Sequence, residues 1–514
     1  MSSSSDAGSQ PFAEETPPGL TEEEMFAEET PPGLTEEERG VYQTLYQVRK
    51  DRKNSRIPKH VPRVIVITDI AKDYDDLVAM ILLKELHRLR LIKLLGFVVN
   101  LQPTKTRSKY ARGALNTLGL YDMPVAWGEK ATEANDVAPY EFESEFNAKK
   151  CTFLSLHEEK DSDDPNVIES GIKFMEKIVS DSTFNDITFL LISSLSDMAT
   201  LVQRTQARNR MRHYGSDSDD ENESELLAEL MENPSTRLNL DTLDEMKGRK
   251  QGTLAKYIRR VVLQGGFTPT FDPDTQEYNL ENDQSANNKT DSASAQFVHK
   301  FLAVNDVPAI VYNKWAASAC GFPQKLFVDL RDTGHILGHH LYERQEVQDL
   351  KYYEDARLPE TRFQGKTQED FLKTKTNWYE LHPEGDGTPI PVEKEVLQYV
   401  KIILYDVLAA LDTAGKDVRD ALEVLQPATG RGKDGKQHLN WDGTVGPSED
   451  YPIEFHWYWQ LRVHNHQAVG GPPEGLSLDA TPNVPNMQLA ISALLKGALT
   501  RAVEEGHGHV DEYI

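Results

Sequence analysis

The amino-acid sequence predicts an α/β fold with a mostly parallel central sheet flanked by helices and interrupted by long insertions. First, short apolar segments of strand character recur at 64–68, 91–100, 123–128, 187–194, 257–267 and 307–313. Second, helical segments separate them, among them 109–120, 165–181 and 291–305. Such alternation is typical of a parallel sheet covered on both faces. Third, acidic, serine or glycine residues follow several strands, at the edge where these sheets bind ligands.

The first predicted strand leads into an unusual concentration of acid. The stretch VIVITDIAKDYDD occupies residues 64–76 and places Asp69, Asp73, Asp75 and Asp76 directly after the strand. Like charges at this spacing repel each other and raise each other's pKa. A divalent cation bound by oxygen ligands would offset that cost. For Asp75 and Asp76 taken alone, capping of the next helix and its dipole is a sufficient explanation.

Composition excludes some classes of function. The 514 residues carry a formal net charge of −27 and the pI is about 5.0, which argues against a general binder of nucleic acid or anionic membranes. Cys151 and Cys320 form no disulfide or metal-finger pattern, so we expect a reducing, cytoplasmic location. No secretory signal or membrane span is expected.

The chain divides into an acidic N-terminal segment and one large domain. Residues 1–60 are predicted to form a disordered tail with a tandem repeat and a short helix, because FAEETPPGLTEEE occurs at 12–24 and again at 26–38. Residues 61–514 are predicted to form the domain. Two polar insertions are expected in it, at about 206–250 and 333–395, and the second is a candidate lid. Residues 392–414 are predicted to form one long helix.

Several motifs resemble the inosine–uridine-type nucleoside hydrolase superfamily, in the order found there. TDIAKDYDD is similar to its T-D-I-G-x-D-x-D-D cluster, with Ala71 where glycine is common. DMPVAWG (122–128), LLISSLSDMATL (190–201), VVLQGGF (261–267) and LYDVLAAL (404–411) resemble its D-I-P-V-x-x-G, A-T-G-P-L-T-N-L-A, V-x-M-G-G and L-H-D-P-L-A-A segments. The segment NLENDQSANNKTDSASA (279–295) parallels the family's G-N-x-x-x-x-A-E-F-N-x-x-x-D-P-E-A-A segment. The sequence is thus identified as a divergent member, with a nucleoside-hydrolase-like fold.

The resemblance implies a site built around Ca²⁺. It gives Asp69 the roles of catalytic base and metal ligand, and it puts Tyr405 where the family has a histidine associated with leaving-group protonation. The implied metal ligands are Asp69, Asp73, Asp75, Asp76, Asp406 and the backbone carbonyl of Ile192, with that of Ser193 as the alternative. The implied substrate-binding residues are Asn100, Gln102, Asn279, Ser285 and Asn287, with Ser285 in the place of a glutamate. Packing for Tyr405 and turn formation for the two loop asparagines are competing explanations.

The implied reaction is hydrolysis of an N-glycosidic bond. In this family the cation lowers the pKa of a water, an aspartate removes its proton, and the transition state resembles an oxocarbenium ion. We therefore expect a metal-dependent hydrolase of a ribonucleoside or related N-riboside, with a small-molecule nucleoside as partner and a homo-oligomer as a compatible assembly. The alternative is a catalytically impaired relative acting as a binding or scaffold protein. A phosphohydrolase with an aspartate nucleophile is disfavoured, because Ala71 stands where that class needs a second aspartate.

Overall fold

A computed structural model describes most of the chain outside its acidic and glycine-rich segments. The described residues are 26, 29–55, 60–129, 153, 167–168, 170–181, 186–213, 254–272, 277–283, 285–361, 365–383, 385–427, 430–431, 437–438, 466–470 and 480–513. Cys151 and the first repeat copy at 12–24 lie outside these residues, and so does the expected insertion at 206–250 after residue 213. Cys320 is described as a buried free thiol.

A ten-stranded sheet forms the centre of the molecule. Its strands in chain order are β1 (Arg63–Thr68), β2 (Lys93–Val99), β3 (Val125–Trp127), β4 (Val167–Ile168), β5 (Ile187–Ile192), β6 (Ile258–Gln264), β9 (Ala309–Tyr312), β12 (Leu425–Pro427), β15 (His466–Val469) and β16 (Ala480–Pro482). Their spatial order is β12-β16-β15-β9-β6-β5-β1-β2-β3-β4. Every pairing is parallel except that of β12 with β16 at one edge. The predicted fold class is confirmed.

Three two-stranded sheets lie beside it. They pair β7 (Phe267–Asp272) with β8 (Glu277–Asn282), β10 (Phe322–Pro323) with β11 (Lys401–Ile402), and β13 (Gly430–Arg431) with β14 (Gln437–His438). The first of these was not predicted from the sequence, because Asn279 was expected to lie in a polar loop. Only Gly265 and Gly266 separate the end of β6 from the start of this hairpin at Phe267.

Helices cover both faces of the central sheet. They are α1 (Glu36–Asn54), α2 (Asp75–Arg88), α3 (Thr104–Thr117), α4 (Gly171–Ser180), α5 (Ser196–His213), α6 (Ala286–Thr290), α7 (Ser292–Val304), α8 (Lys314–Ala319), α9 (Lys325–Arg331), α10 (Ile336–Arg357), α11 (Gln368–Lys375), α12 (Trp378–Leu381), α13 (Tyr405–Asp412), α14 (Lys416–Ala421) and α15 (Val484–Glu504). Alternate residues of β1 enter separate hydrophobic cores, Val64 and Val66 one and Ile65 and Ile67 the other. This is the period of two expected of a strand buried on both faces.

One expectation for the second half of the chain is corrected. Residues 392–414 do not form one helix: a 3₁₀ helix (Glu393–Tyr399), strand β11 and helix α13 follow one another. Pairing of β11 with β10 takes backbone groups that a continuous helix would have used. The insertion at 333–395 is largely helical and has a core of its own around Tyr353, Phe371 and Trp378. Its polar composition concealed these few, well-spaced aromatic residues.

The N-terminal segment also differs from a free tail. Helix α1 has 19 residues, is capped by Thr35 and Glu38 in a reciprocal capping box, and buries Val41, Tyr42 and Leu45 in the main core. In the second repeat copy, Leu34 is buried in the main core, and Arg88 of α2 donates to the Glu29 carbonyl at 3.0 Å. That copy is therefore packed against the domain, and the proposed boundary at residue 60 remains a prediction.

Candidate metal centre and adjoining pocket

The end of strand β1 turns sharply so that helix α2 begins with two carboxylates. Ala71 adopts φ 69°, in the left-handed region that glycine enters most easily. Ala71 occupies the glycine position of the T-D-I-G-x-D-x-D-D motif that TDIAKDYDD resembles. Asp75 and Asp76 then form the first residues of α2, and the Thr68 hydroxyl at the strand end donates a hydrogen bond to Asp76 Oδ1. The turn therefore directs the acids to the carboxyl edge of the sheet.

Four carboxylates converge there. Oxygen atoms of Asp73, Asp75, Asp76 and Asp406 all lie within 4.8 Å of one another, and the last three residues are buried. Asp406 reaches the site from α13, more than 300 residues further along the chain. Asp73 Oδ1 and Asp75 Oδ1 are buried and accept no hydrogen bond from the described residues. An orphaned buried carboxylate oxygen is costly, and a hard cation is the partner that suits it.

The electrostatics of this acidic cluster agree with its geometry. Burial raises the pKa of Asp75 well above its usual value, and the charges of Asp406 and Asp73 raise it further. Burial and the charge of Asp406 likewise raise the pKa of Asp76, and burial and the charges of Asp73 and Asp69 raise that of Asp406. These raised pKa values mean that the surrounding protein disfavours the ionised form of the three carboxyl groups. A divalent cation would favour their ionised form.

Asp69 lies at the border of the cluster and has a cationic neighbour. Its Oδ2 is 3.3 Å from Lys72 Nζ, and both side chains are almost fully buried. Asp69 is not one of the four converging carboxylates, although its charge acts on Asp76 and Asp406. The buried Arg107 donates to the backbone carbonyls of Asp69 and Ile70 at 2.7 and 2.9 Å. Arg107 thereby fixes the backbone that carries Asp69.

Tyr405 joins the acidic cluster to the helical insertion. Its backbone N–H donates to Asp75 Oδ2 at 3.0 Å. On its other side, Lys375 Nζ at the end of α11 lies 5.4 Å from the centre of the Tyr405 ring. The phenol and the carboxylate of Asp349 raise the pKa of Lys375 against the opposing effect of burial. The insertion at 333–395 therefore contributes a side chain next to the cluster.

Asn100 belongs to a separate hydrogen-bond network at the ends of β2 and β5. Its Nδ2 donates to Ser194 O at 3.0 Å and to Asp197 Oδ2 at 2.8 Å, and its Oδ1 accepts from the Ser193 hydroxyl. Asp197 Oδ1 also accepts from the backbone N–H of Glu129 at 2.9 Å. Burial raises the pKa of Asp197 to about 7. Since its amide is already engaged, Asn100 is placed to position strand ends.

The end of β6 carries a second network. Asn287 donates to Gln264 Oε1 at 2.7 Å, and Asn288 donates to Gly266 O at 2.7 Å and to Asp283 Oδ1 at 3.0 Å. Ser285 is buried, and its hydroxyl has no partner among the described residues. Asn287 and Ser285 thus lie at the predicted edge of the sheet.

The remaining predicted residues lie on three other segments of the chain. Asn279 lies in strand β8 opposite Thr270 and not in a loop, so this expectation about its backbone was wrong. Gln102 is exposed and precedes Pro103 through a cis peptide bond. Ile192 ends β5 and pairs in register with Thr68 of β1. The structure therefore brings together Asp73, Asp75, Asp76 and Asp406 most tightly.

Sequence analysis missed four side chains that shape this region: Lys72, Arg107, Asp349 and Lys375. Lys72 lies inside the acidic motif, so its charge was a readable signal. Asp349 and Lys375 belong to an insertion whose position depends on tertiary packing. Arg107 was outside the predicted helix, which begins at Thr104 and not at residue 109.

Comparisons with known proteins agree on the fold. No protein-family model and no curated protein matches the sequence. Among solved structures, the effector protein XOO4466 has a TM-score of 0.58 and 18% identity over 91% of this chain and 99% of its own. The type III effector protein XopQ, complexed with adenosine diphosphate ribose, has a TM-score of 0.58 and 19% identity over 91% of this chain and 100% of its own.

Nucleoside hydrolases are also among the similar structures. The purine-preferring ribonucleoside hydrolase from Gardnerella vaginalis has a TM-score of 0.42 and 12% identity over 85% of this chain and 99% of its own. Within the described part of the chain, no helix has the length and apolar character needed to span a membrane. The chain shares the fold of the two effector proteins.

Proposed function

We propose that the protein is a metal-dependent hydrolase that cleaves the N-glycosidic bond of a ribonucleoside or a related N-riboside. The observation that carries the proposal is the convergence of Asp73, Asp75, Asp76 and Asp406, with two orphaned buried oxygens. An all-oxygen donor set fits a hard cation, and we assign Ca²⁺ to it. A cation held there supplies Lewis acidity and neutralises the carboxylates.

The chain's own residues would bind and orient the sugar. Asp75, Asp76 and Asp406 hold the cation, Asp73 supports them, and the Ile192 carbonyl is proposed as a further ligand. Asp69, buried and next to Lys72, is proposed to accept the proton of the attacking water. Negative charge around the sugar would stabilise an oxocarbenium-like transition state. Asn287, Ser285, Asn279 and Gln102 remain proposed sugar contacts, with Asn100 positioning the strand ends.

Tyr405 is proposed to lie beside the leaving group. Its ring is fixed between Asp75 on the backbone side and Lys375 on the ring side. A small-molecule N-riboside is the proposed partner, and the adenosine diphosphate ribose bound by XopQ is one such molecule. A cytoplasmic location and self-association stay predictions.

The alternative function is that of a binding protein with impaired catalysis. Lys72 places a positive charge 3.3 Å from the proposed base, and Ser285 cannot replace the carboxylate of a glutamate. Asn100 is also engaged in a network of its own. These observations favour ligand binding without turnover.

One experiment separates the two functions. Release of free ribose is measured from purine and pyrimidine ribonucleosides, with Ca²⁺ and with chelator, for the native chain, Asp76→Asn and Asp420→Asn. Asp420 is half exposed on α14 and serves as a matched control. Calcium-dependent release that is lost only in Asp76→Asn supports the hydrolase. Calcium binding without release from any nucleoside supports the alternative, and release that persists in Asp76→Asn contradicts the proposed centre.

A further inference from the structure

The second repeat copy is docked on the domain, and the proposed function uses neither copy. FAEETPPGLTEEE occurs at 12–24 and again at 26–38 without a substitution. Of the second copy, the structure describes residues 26 and 29–38. These residues contact α1, α2 and α15. An exact repeat of a docked segment gives the same chain a second segment with identical side chains.

Leu34 and Pro31 make the apolar part of this contact. Leu34 is 5% exposed and belongs to the main core. Pro31 is buried beside Gly497 of α15, where an added Cβ would lie 3.0 Å from Pro31 Cγ. Gly33 adopts φ 73°, a left-handed conformation that glycine takes without strain. The apolar contact is thus made by a Pro-x-Gly-Leu sequence.

Phe26 and Glu29 make the aromatic and polar part. The Phe26 ring lies 5.8 Å from the ring of Tyr46 in α1, edge to face. The Glu29 carboxylate pairs with Arg49 of α1 at 2.8 Å, and the Glu29 carbonyl accepts from Arg88 Nη2 of α2 at 3.0 Å. The carbonyl contact suits any residue, whereas the other two require a phenylalanine and a glutamate three positions apart.

Every side chain in this contact recurs in the first copy, which begins 14 residues earlier. We call the contacted groups of Tyr46, Arg49, Arg88 and Gly497 the tail-docking surface. The equivalent residues of the first copy are Phe12, Glu15, Pro17, Gly19 and Leu20. The two copies therefore offer the same groups to the surface and differ only in how they are joined to α1.

The first copy can reach the tail-docking surface without disturbing helix α1. Thr35 directly follows Leu34 and caps α1 together with Glu38. When Leu20 takes the place of Leu34, residues 21–34 become a loop whose flanking residues lie one Cα step apart, about 3.8 Å. Closing a loop of this length disfavours the shifted register by about two orders of magnitude. The second copy is therefore the main occupant, in agreement with the structure.

We propose that the tail-docking surface has two alternative occupants within one chain, residues 26–34 and residues 12–20. A shift of 14 residues exchanges them, keeps a leucine in the buried position and leaves one FAEETPPGL segment undocked. The shift within one chain is favoured over exchange between two molecules, because the tether holds the first copy at an effective concentration in the millimolar range. The N-terminal segment thus stays docked when one of its copies is altered or engaged elsewhere.

Denaturant unfolding of four full-length chains tests the shift: the native chain, Leu20→Asp, Leu34→Asp and the double variant. Leu20→Asp should leave stability unchanged. Leu34→Asp should lower the ratio of folded to unfolded protein by about one hundredfold, which is the cost of closing the loop. The double variant should lose at least tenfold more, because a buried aspartate is then unavoidable in either register. The alanine variants of both leucines provide the same comparison where an aspartate variant fails to fold.

A peptide supplies the occupant separately. FAEETPPGL, added to the double variant at up to millimolar concentration, should raise its stability as the peptide concentration rises. The same peptide with aspartate in place of leucine should have no effect. Leu381→Asp changes a leucine that is 57% exposed and serves as the matched control, whose stability should not depend on Leu20→Asp.

Two results would overturn the inference: equal stability of Leu34→Asp and the double variant, or a peptide without effect on the double variant. Light scattering at several protein concentrations distinguishes the two routes of exchange. A stability difference that is independent of protein concentration supports the shift within one chain. A difference that grows with concentration, with dimers that Leu20→Asp removes, would contradict that shift and assign the exchange to two molecules. None of these outcomes depends on the proposed hydrolase activity.

Discussion

A single buried carboxylate lies at the end of β5, and a cluster of four carboxylates lies at the end of the neighbouring strand β1. The two have opposite hydrogen-bond environments. Asp197 stands alone beside β5, and both of its oxygens accept hydrogen bonds, from Asn100 and from the Glu129 backbone. In the acidic cluster, the carboxylates of four residues crowd together and two oxygens have no donor. The first arrangement is complete within the protein. The second leaves Asp73 Oδ1 and Asp75 Oδ1 without a donor among the described residues.

The difference shows which signal marks a ligand site. Burial raises the pKa in both places, so a raised pKa does not separate them. Convergence of like charges together with orphaned oxygens does separate them. Gly128 belongs to the completed network: a Cβ there would lie 2.7 Å from the Asn100 Cβ and 2.9 Å from both Asp197 oxygens.

The largest expected effect comes from breaking the acidic cluster. Native protein should gain thermal stability when Ca²⁺ is added after chelation, by about 2.7 kcal/mol at a concentration one hundred times Kd. Asp406→Asn should lose most of this gain because it removes a ligand that α13 supplies. Thermal unfolding with and without Ca²⁺ measures it, and Asp197→Asn is the control that should keep the gain. A full calcium response in Asp406→Asn would contradict the centre.

An intermediate effect is expected from the completed network. Because the folded pKa of Asp197 is about 7 and the unfolded value about 3.8, the folded state holds more protons between these pH values. Its contribution to stability is therefore full below pH 3.8 and is lost as pH rises through 7. Asp197→Asn should flatten the pH dependence of the free energy of unfolding between pH 3.8 and 7. It should also lower that free energy by about 1–3 kcal/mol, because the N–H₂ group of the new asparagine faces a hydrogen-bond donor.

Chemical unfolding across this pH range checks the prediction. Measurements at saturating Ca²⁺ keep the acidic cluster from contributing to the slope. An unchanged slope in Asp197→Asn would assign the dependence to other groups.

The smallest effect is expected at the turn between β1 and α2. Ala71→Gly relieves a left-handed conformation that costs about 1 kcal/mol, but it also removes a buried methyl and frees the unfolded chain. Stability should stay within about 1 kcal/mol of the native value. Ala71→Val should be clearly less stable, because a β-branched residue is poorly accommodated there. Denaturant unfolding of both variants provides the measurement, and equal stability of the two would refute the strain.

Much of the fold and part of the site could be predicted from the sequence. The apolar segments at β1, β2, β5, β6 and β9 have few alternatives to buried strands, so their prediction was confirmed. Asp73, Asp75 and Asp76 were proposed together because they lie within four positions directly after a predicted strand. Asp406 was proposed because LYDVLAAL resembles the L-H-D-P-L-A-A segment of the nucleoside hydrolase superfamily. The continuous helix at 392–414 failed because backbone pairing with β10 outweighed local helix propensity.

The sequence by itself determined the strand–helix alternation, the acidic turn after β1 and the excess of negative charge, because periodicity and composition are local properties. Tertiary structure alone decided which acids converge, that Asn100 and Asp197 complete each other, and that Lys375 of the insertion meets Tyr405. Each of those contacts joins residues 30 to more than 300 positions apart. Such distances close only when helices and strands pack, so no local pattern encodes them.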